Sequence, residues 1–123
     1  MTDPATLLAL AERCEAADAS EQRELLWEAF LALQARPDDH TPGVKEWSWL
    51  WNRFNLMTGA EAYESAAMML VPEGYGVKVR RWVNGRGAAG CYPSESADDW
   101  HNAATPALAL CAAALRARAG GGQ

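Results

Sequence analysis

The residues best suited to chemistry fall in a few places along the chain. Lys78, Arg80 and Trp82 alternate within residues 75–83, so on an extended strand they share one face. Two cations at that spacing suit an anionic group such as phosphate, and an indole beside them can stack on a base or hold a cation. Arg81 falls on the opposite face and adds to the local positive charge. Trp47, Trp49 and Trp51 alternate in the same way. Three indoles on one face are core against the preceding helix, a stacking surface for a flat ligand, or an anchor for a protein partner. The candidate binding residues are therefore Lys78, Arg80, Arg81, Trp82, Trp47, Trp49 and Trp51. The plainer alternative for the basic strand is a charged edge that discourages aggregation.

Metal and catalytic chemistry find less support. Asp38, Asp39 and His40 would have to converge with Asp98, Asp99 and His101 to hold a metal, and adjacent positions on loops give no fixed ligand geometry. Solvated carboxylates are expected there, with no metal and no other cofactor. Cys14, Cys91 and Cys111 are odd in number, widely spaced and outside any C-x-x-C pair, so they read as small buried hydrophobes in a reducing compartment. No Ser-His or Cys-His arrangement is evident. The GRGAAG run at residues 85–90 follows a hairpin turn and does not open a helix, which argues against a phosphate loop. No enzymatic activity is expected.

The elements that must position these residues can be read in order. Asp3 then Pro4 is a helix start, and Leu7, Leu10 or Ala11, Cys14 and Ala17 recur at helical spacing. Ser20 is expected to cap a second helix with Leu26, Ala29 or Phe30, and Leu33 buried, widened by Trp27 and Leu31, and ended by Pro37. The two form an αα-hairpin. Residues 36–43 are turn-rich and read as a surface loop. Residues 44–54 fit a strand by the alternating tryptophans, and also a helix by Val44, Trp47, Trp51 and Phe54; the strand is favoured because aromatics at period two suit a pleated surface. Thr58 and Glu61 have the spacing of a capping box for a helix through Leu70, which Pro72 stops. Asn84-Gly85 then signals a two-residue type I′ turn, setting Val83 opposite Arg86, Arg81 opposite Ala88, Val79 opposite Gly90 and Val77 opposite Tyr92. Small residues 87–90 leave room above the sheet for a helix or a ligand. Residues 93–102 are a polar connection, and Thr105-Pro106 opens a closing helix that buries Leu108, Cys111 or Ala112, and Leu115. The glycines at 120–122 end it in a short flexible tail. The expected fold is α+β, a single domain over residues 1–119, with a small, mostly antiparallel sheet sandwiched between helices in the order α-α-(β)-α-β-β-α.

Size and charge bound the function. The chain has 123 residues, 50% apolar and 22% charged, enough for one core without disulfides or metal. Its net charge of −5 is uneven: residues 1–41 hold nine acids and three bases, and residues 73–90 one acid and four bases. General nucleic-acid binding wants a broad basic face, so none is expected. No apolar run is long enough for a membrane span, and residues 1–16 lack a basic region ahead of their leucines, so a cytoplasmic protein is expected.

Two stretches, YESAAMMLVPEGYGVKV at residues 63–79 and AATPALALCAAALRARA at 103–119, resemble the phage ABA-sandwich domain family of small bacteriophage and prophage proteins. Its members share an alanine-rich helix running into Leu-Val-Pro-x-Gly and an aromatic, a strand pair, and a closing Ala-Thr-Pro-Ala-x-Ala-Leu-Cys helix. The resemblance covers residues 60–119. It implies a sandwich fold and a phage or prophage origin, and no functional residues. The leading expectation is a non-enzymatic phage accessory protein that binds a host protein or ribonucleoprotein, for instance an anti-CRISPR-type inhibitor. Its acidic residues Asp3, Glu12, Glu15, Asp18, Glu21, Glu24 and Glu28 could compete with nucleic acid for a basic groove. The alternatives are capture of a small anionic ligand such as a signalling nucleotide, or a virion assembly component.

Overall fold

The structure is a computed structural model that describes residues 3–34, 43–92 and 100–121. It is an α+β fold in which an antiparallel sheet packs against helices. In chain order the elements are α1 (Pro4–Ala16), a 3₁₀ turn (Ala19–Glu21), α2 (Gln22–Leu33), α3 (Val44–Gly59), α4 (Tyr63–Met68), β1 (Gly76–Arg81), β2 (Gly87–Tyr92), β3 (His101–Ala103) and α5 (Pro106–Gly121).

The core is built around α5. Residues 107–115 are buried without interruption, which an alanine-rich helix permits because small side chains let neighbours approach on every side. The sheet lies against α5, and α1, α2 and α4 also pack on it. At the start of α5 the Thr105 hydroxyl accepts from the Leu108 N–H at 3.1 Å, as the sequence suggests. Near its end Arg116 makes a two-pronged bond to Glu15 of α1 at 2.7 and 2.9 Å, and Arg118 donates to the Leu70 carbonyl. The helix continues to Gly121, past the first two glycines expected to end it.

Several local expectations are met. Asp3 accepts from the Thr6 N–H and Pro4 opens α1. Of the stripe expected to lie on the sheet from the helix before Pro72 (Tyr63, Ala66 or Ala67, and Leu70), Ala66, Ala67 and Leu70 are buried, but α4 packs on α5, α3 and α2 instead. The cap of the second helical unit is Asp18, not Ser20: Asp18 and Glu21 form a reciprocal capping box around the 3₁₀ turn, and α2 follows from it. Leu31, expected to widen the apolar stripe of α2, is exposed. Pro37 and the turn-rich loop lie outside the described residues.

Residues 44–54 are helical, which corrects the strand expectation. Trp47, Trp51, Phe54 and Thr58 recur at spacings of four, three and four and face inward, and Trp49 faces out. The helix wins because it lets indoles one turn apart stack: Trp47 and Trp51 lie 5.7 Å apart at 15°, and Trp51 and Phe54 6.4 Å apart at 12°. Phe30 of α2 fills the remaining side, 4.8 Å from Phe54. Two indole N–H groups around this cluster find acceptors. Trp47 donates to the Gln34 carbonyl at 2.6 Å and Trp27 to the Thr58 hydroxyl at 3.1 Å.

Thr58 and Glu61 consequently do not open a helix; they close α3. Thr58 is fully buried in its last turn, its hydroxyl directed to the Phe54 and Asn55 carbonyls. Glu61 has φ 60°, and the bonds Glu61 N–H to Thr58 carbonyl and Ala62 N–H to Met57 carbonyl form a Schellman closure.

The hairpin forms with a register one residue from the expected one. Val77 pairs with Cys91, Val79 with Ala89 and Arg81 with Gly87. Asn84 is not in the left-handed region that a type I′ turn requires; only Gly85 is, with φ 90°. Gly85 N–H bonds the Trp82 carbonyl and Trp82 N–H bonds the Arg86 carbonyl, so the connection is a three-residue loop with a glycine bulge. The Asn84 side chain accepts from Arg86 N–H at 3.0 Å, which favours the ordinary turn over its mirror image. The sequence reading missed β3, which pairs His101 with Ala89 and Ala103 with Gly87. No helix among the described residues is long and apolar enough to cross a membrane.

Candidate functional site

The pairing register sorts the sheet's side chains. Ala89, Cys91 and Ala103 lie on the face that packs on α5, with Val77 opposite Cys91. Lys78, Arg80, Ala88, Gly90, Tyr92 and Asn102 take the other face, by the two-residue period of a strand. Trp82 and Trp100 continue the same parity at the ends of β1 and β3. The expected alternation of Lys78, Arg80 and Trp82 on one face is thus what the fold produces.

The aromatic partner is a different one from that expected. Lys78 Nζ lies 4.6 Å and the Arg80 guanidinium carbon 4.7 Å from the centre of the Trp100 ring. Both are within reach of a cation–π attraction, worth about 0.5–1 kcal/mol each at an exposed site. Arg80 also lies 5.9 Å from Trp82. The geometry follows from the register: Gly90, opposite Lys78, and Ala88, opposite Arg80, put almost nothing in the middle strand between the cations and β3. One ring therefore holds two cations no further apart than the sum of their distances to it. Such a pair presents several N–H donors from a preorganised position, which suits a carboxylate or a phosphate.

Trp100 was missed because it follows the polar run at residues 93–99. No local pattern marks it, since Trp100, His101, Asn102 and Ala103 do not alternate apolar with polar, and only the pairing of β3 with β2 places the ring. Small residues 87–90 do leave room for a helix, and α5 takes it. Gly87 lies so close to Pro106 that a Cβ would overlap the proline's backbone, and Gly76 is covered by the Tyr92 ring.

The other candidates fall elsewhere. Arg81 is on the α5 side of the sheet and pairs with Glu64 of α4. It borders a cleft of about 480 Å³ with Gln22, Glu61, Tyr63 and Thr105, where two carboxylates accompany the single guanidinium. Trp47 and Trp51 belong to the core cluster with Trp27, Phe30 and Phe54, and do not join the basic strand. Trp49 is 59% exposed on the outer side of α3, with Arg53 5.3 Å from its ring.

The acidic helical face is partly committed internally. Glu15 is bound by Arg116 and has His101 Nδ1 at 3.4 Å, Glu28 is bound by Arg13 at 2.8 Å, and Asp18 and Glu21 cap the 3₁₀ turn. The Glu15 carboxylate holds the Arg116 guanidinium above its ordinary pKa, and Glu28 does the same for Arg13. The cysteines are buried free thiols. Cys14 and Cys111 share a hydrogen bond at 3.8 Å; that bond and burial hold Cys111 well above the usual thiol range. Burial pushes Cys91 up to about 11. Cys91 and Cys111 thus stay protonated and unreactive at neutral pH.

Among the described residues no three His, Cys, Asp or Glu side chains gather as a metal site. Asp38, Asp39, His40, Asp98 and Asp99 lie outside those residues. No family model matches the chain, and neither a curated protein nor a solved structure matches it.

Proposed function

We propose that the protein works by binding, without catalysing a reaction, and that the sheet face carrying Lys78, Arg80 and Trp100 meets an anionic partner surface. The observation that carries this reading is the pair of cations held on one indole. Surface lysines and arginines ordinarily lose side-chain entropy when they bind, and a cation already stacked on a ring has less left to lose. The acidic helical face is the weaker candidate, because Arg13 and Arg116 already engage two of its carboxylates. The resemblance suggests only the setting, a phage or prophage protein in the bacterial cytoplasm; the partner proposed there is a host protein or ribonucleoprotein, for instance one of a CRISPR-type defence.

A second reading, capture of a small anionic ligand such as a signalling nucleotide, is favoured by one observation. Trp82 is 40% exposed beside Arg80, where a base could stack while the guanidinium holds phosphate.

Titration calorimetry with an oligo-glutamate peptide and with cyclic and linear nucleotides separates the two. Binding of the acidic peptide that falls at least tenfold in Lys78→Glu/Arg80→Glu supports the partner-surface reading. A nucleotide that binds and raises the melting temperature, with no binding of the peptide, favours the second. If neither class binds, the sheet face is not the contact. The biological setting is tested by plaque formation on a host with an active defence: expression of the protein restores it, the double variant does not, and no effect in any such host overturns the anti-defence role.

A further inference from the structure

We propose that the outer edge of β1 takes up an extended segment of a partner protein in which acidic and apolar residues alternate, extending the sheet by a fourth strand. This rests on the sheet-face reading above and deepens it by naming the partner's chemistry and its mode of docking.

The argument begins with one hydrogen bond. Trp82 N–H donates to the Arg86 carbonyl across the hairpin, which makes this pair a hydrogen-bonded one. In an antiparallel ladder such pairs recur every second residue. Arg80 with Ala88, Lys78 with Gly90 and Gly76 with Tyr92 are therefore the pairs whose backbone groups face β2. The N–H and C=O groups of Val77, Val79 and Arg81 consequently point away from β2. The sheet order is β1-β2-β3, and among the described residues no strand pairs with that outer side of β1. Three residues of outward-facing donors and acceptors are a template for strand addition.

Side chains along the edge specify what can be added. On the outer face an incoming strand would run beside Lys78 and Arg80, where directly opposed like charges destabilise and opposite charges stabilise pairing. On the α5 side it would run beside Val79, which is 43% exposed although it lies on the face that packs on the core. An apolar residue there covers that valine. The two requirements alternate along a strand, giving an acidic residue, an apolar residue, and an acidic residue again. A second copy of β1 is the wrong occupant, since antiparallel pairing about a two-fold axis at Val79 would set Lys78 of each copy opposite Arg80 of the other. The charges thus discourage self-pairing and select a partner strand of opposite sign.

The test uses an end-capped peptide of alternating glutamate and valine, a scrambled peptide of the same composition, and versions of the first N-methylated on one alternate set of residues or the other. Binding to the full chain is measured by calorimetry, and amide hydrogen exchange is followed by nuclear magnetic resonance. The expected result is slowed exchange of the Val77, Val79 and Arg81 amides, at least tenfold weaker binding of the scrambled peptide, and at least tenfold loss for one of the two N-methylated versions. Val79→Pro removes the middle outward N–H without removing a ladder bond, and should weaken binding similarly. The N-methylated peptides keep the question answerable if that variant does not fold. Binding with no slowing at those amides, and none of the N-methyl dependence, overturns the edge and leaves the sheet-face contact standing. No binding by any acidic peptide overturns both.

Discussion

Glu61 closes α3 in a left-handed conformation that costs a side-chain-bearing residue about 1–2 kcal/mol and glycine little. Glu61→Gly should therefore raise stability by about 0.5–1 kcal/mol after the extra chain entropy of glycine is subtracted, read as a rise in the urea midpoint. Thr58 is the opposite case. Its buried hydroxyl receives the Trp27 indole N–H and is directed to the last-turn carbonyls, so Thr58→Val leaves that N–H without its partner. A loss of about 1–3 kcal/mol is expected, again by urea unfolding. The thiols give a pH signature. Cys91 is raised by burial, so its stabilising contribution is complete below the pKa of an unfolded thiol, about 8.5, and is lost as pH rises towards its folded value of about 11. Stability measured from pH 8 to pH 11 should fall, and Cys91→Ala should flatten part of that fall.

At the scale of elements, the sequence made the capped starts of α1 and α5 and the hairpin's existence legible, because each depends on a few adjacent residues with one physical role. It left α3 ambiguous because its tryptophans satisfy both periods. Trp49 makes the pattern alternate, and only the presence of Phe30 across the core decides that Trp47, Trp51 and Phe54 face inward together. The capping-box spacing of Thr58 and Glu61 misled for a related reason, since the same residues also suit a helix end whose side chains are buried. The proposed binding face was half legible: Lys78, Arg80 and Trp82 follow from strand alternation, whereas Trp100 reaches them through a strand pairing that no local pattern announces. Close packing of elements yields a paired prediction. Gly87→Ala places a Cβ against the Pro106 backbone at the start of α5 and should cost about 1–3 kcal/mol. Gly76→Ala meets only the Tyr92 side chain, which is half exposed and can swing aside, so its cost should be smaller in the same measurement.

For the whole molecule, charge is separated along the chain, with the acids concentrated in residues 1–41 and the bases in 73–90. An anionic partner approaching the sheet face would be attracted locally and repelled by the rest, so its association rate should depend on ionic strength in a way a uniform protein's would not. Between 50 and 300 mM salt the on-rate for an acidic peptide should fall, and Lys78→Glu/Arg80→Glu should remove most of that dependence; stopped-flow fluorescence from the tryptophans follows it. The position of α5 has a separate consequence, for the order in which the molecule can be made. The helix on which the sheet, α1, α2 and α4 pack is encoded late in this sequence, and its ties to α1, Cys14 with Cys111 and Glu15 with Arg116, span 97 and 101 residues. During synthesis, at about 5–20 residues per second, α1 and α2 emerge with their apolar faces uncovered and wait for a partner still inside the ribosome. Folding is then a late, long-range closure and should be slow for a helical protein of this size. The waiting segments would spend those seconds as clients for whatever chaperone the cell offers.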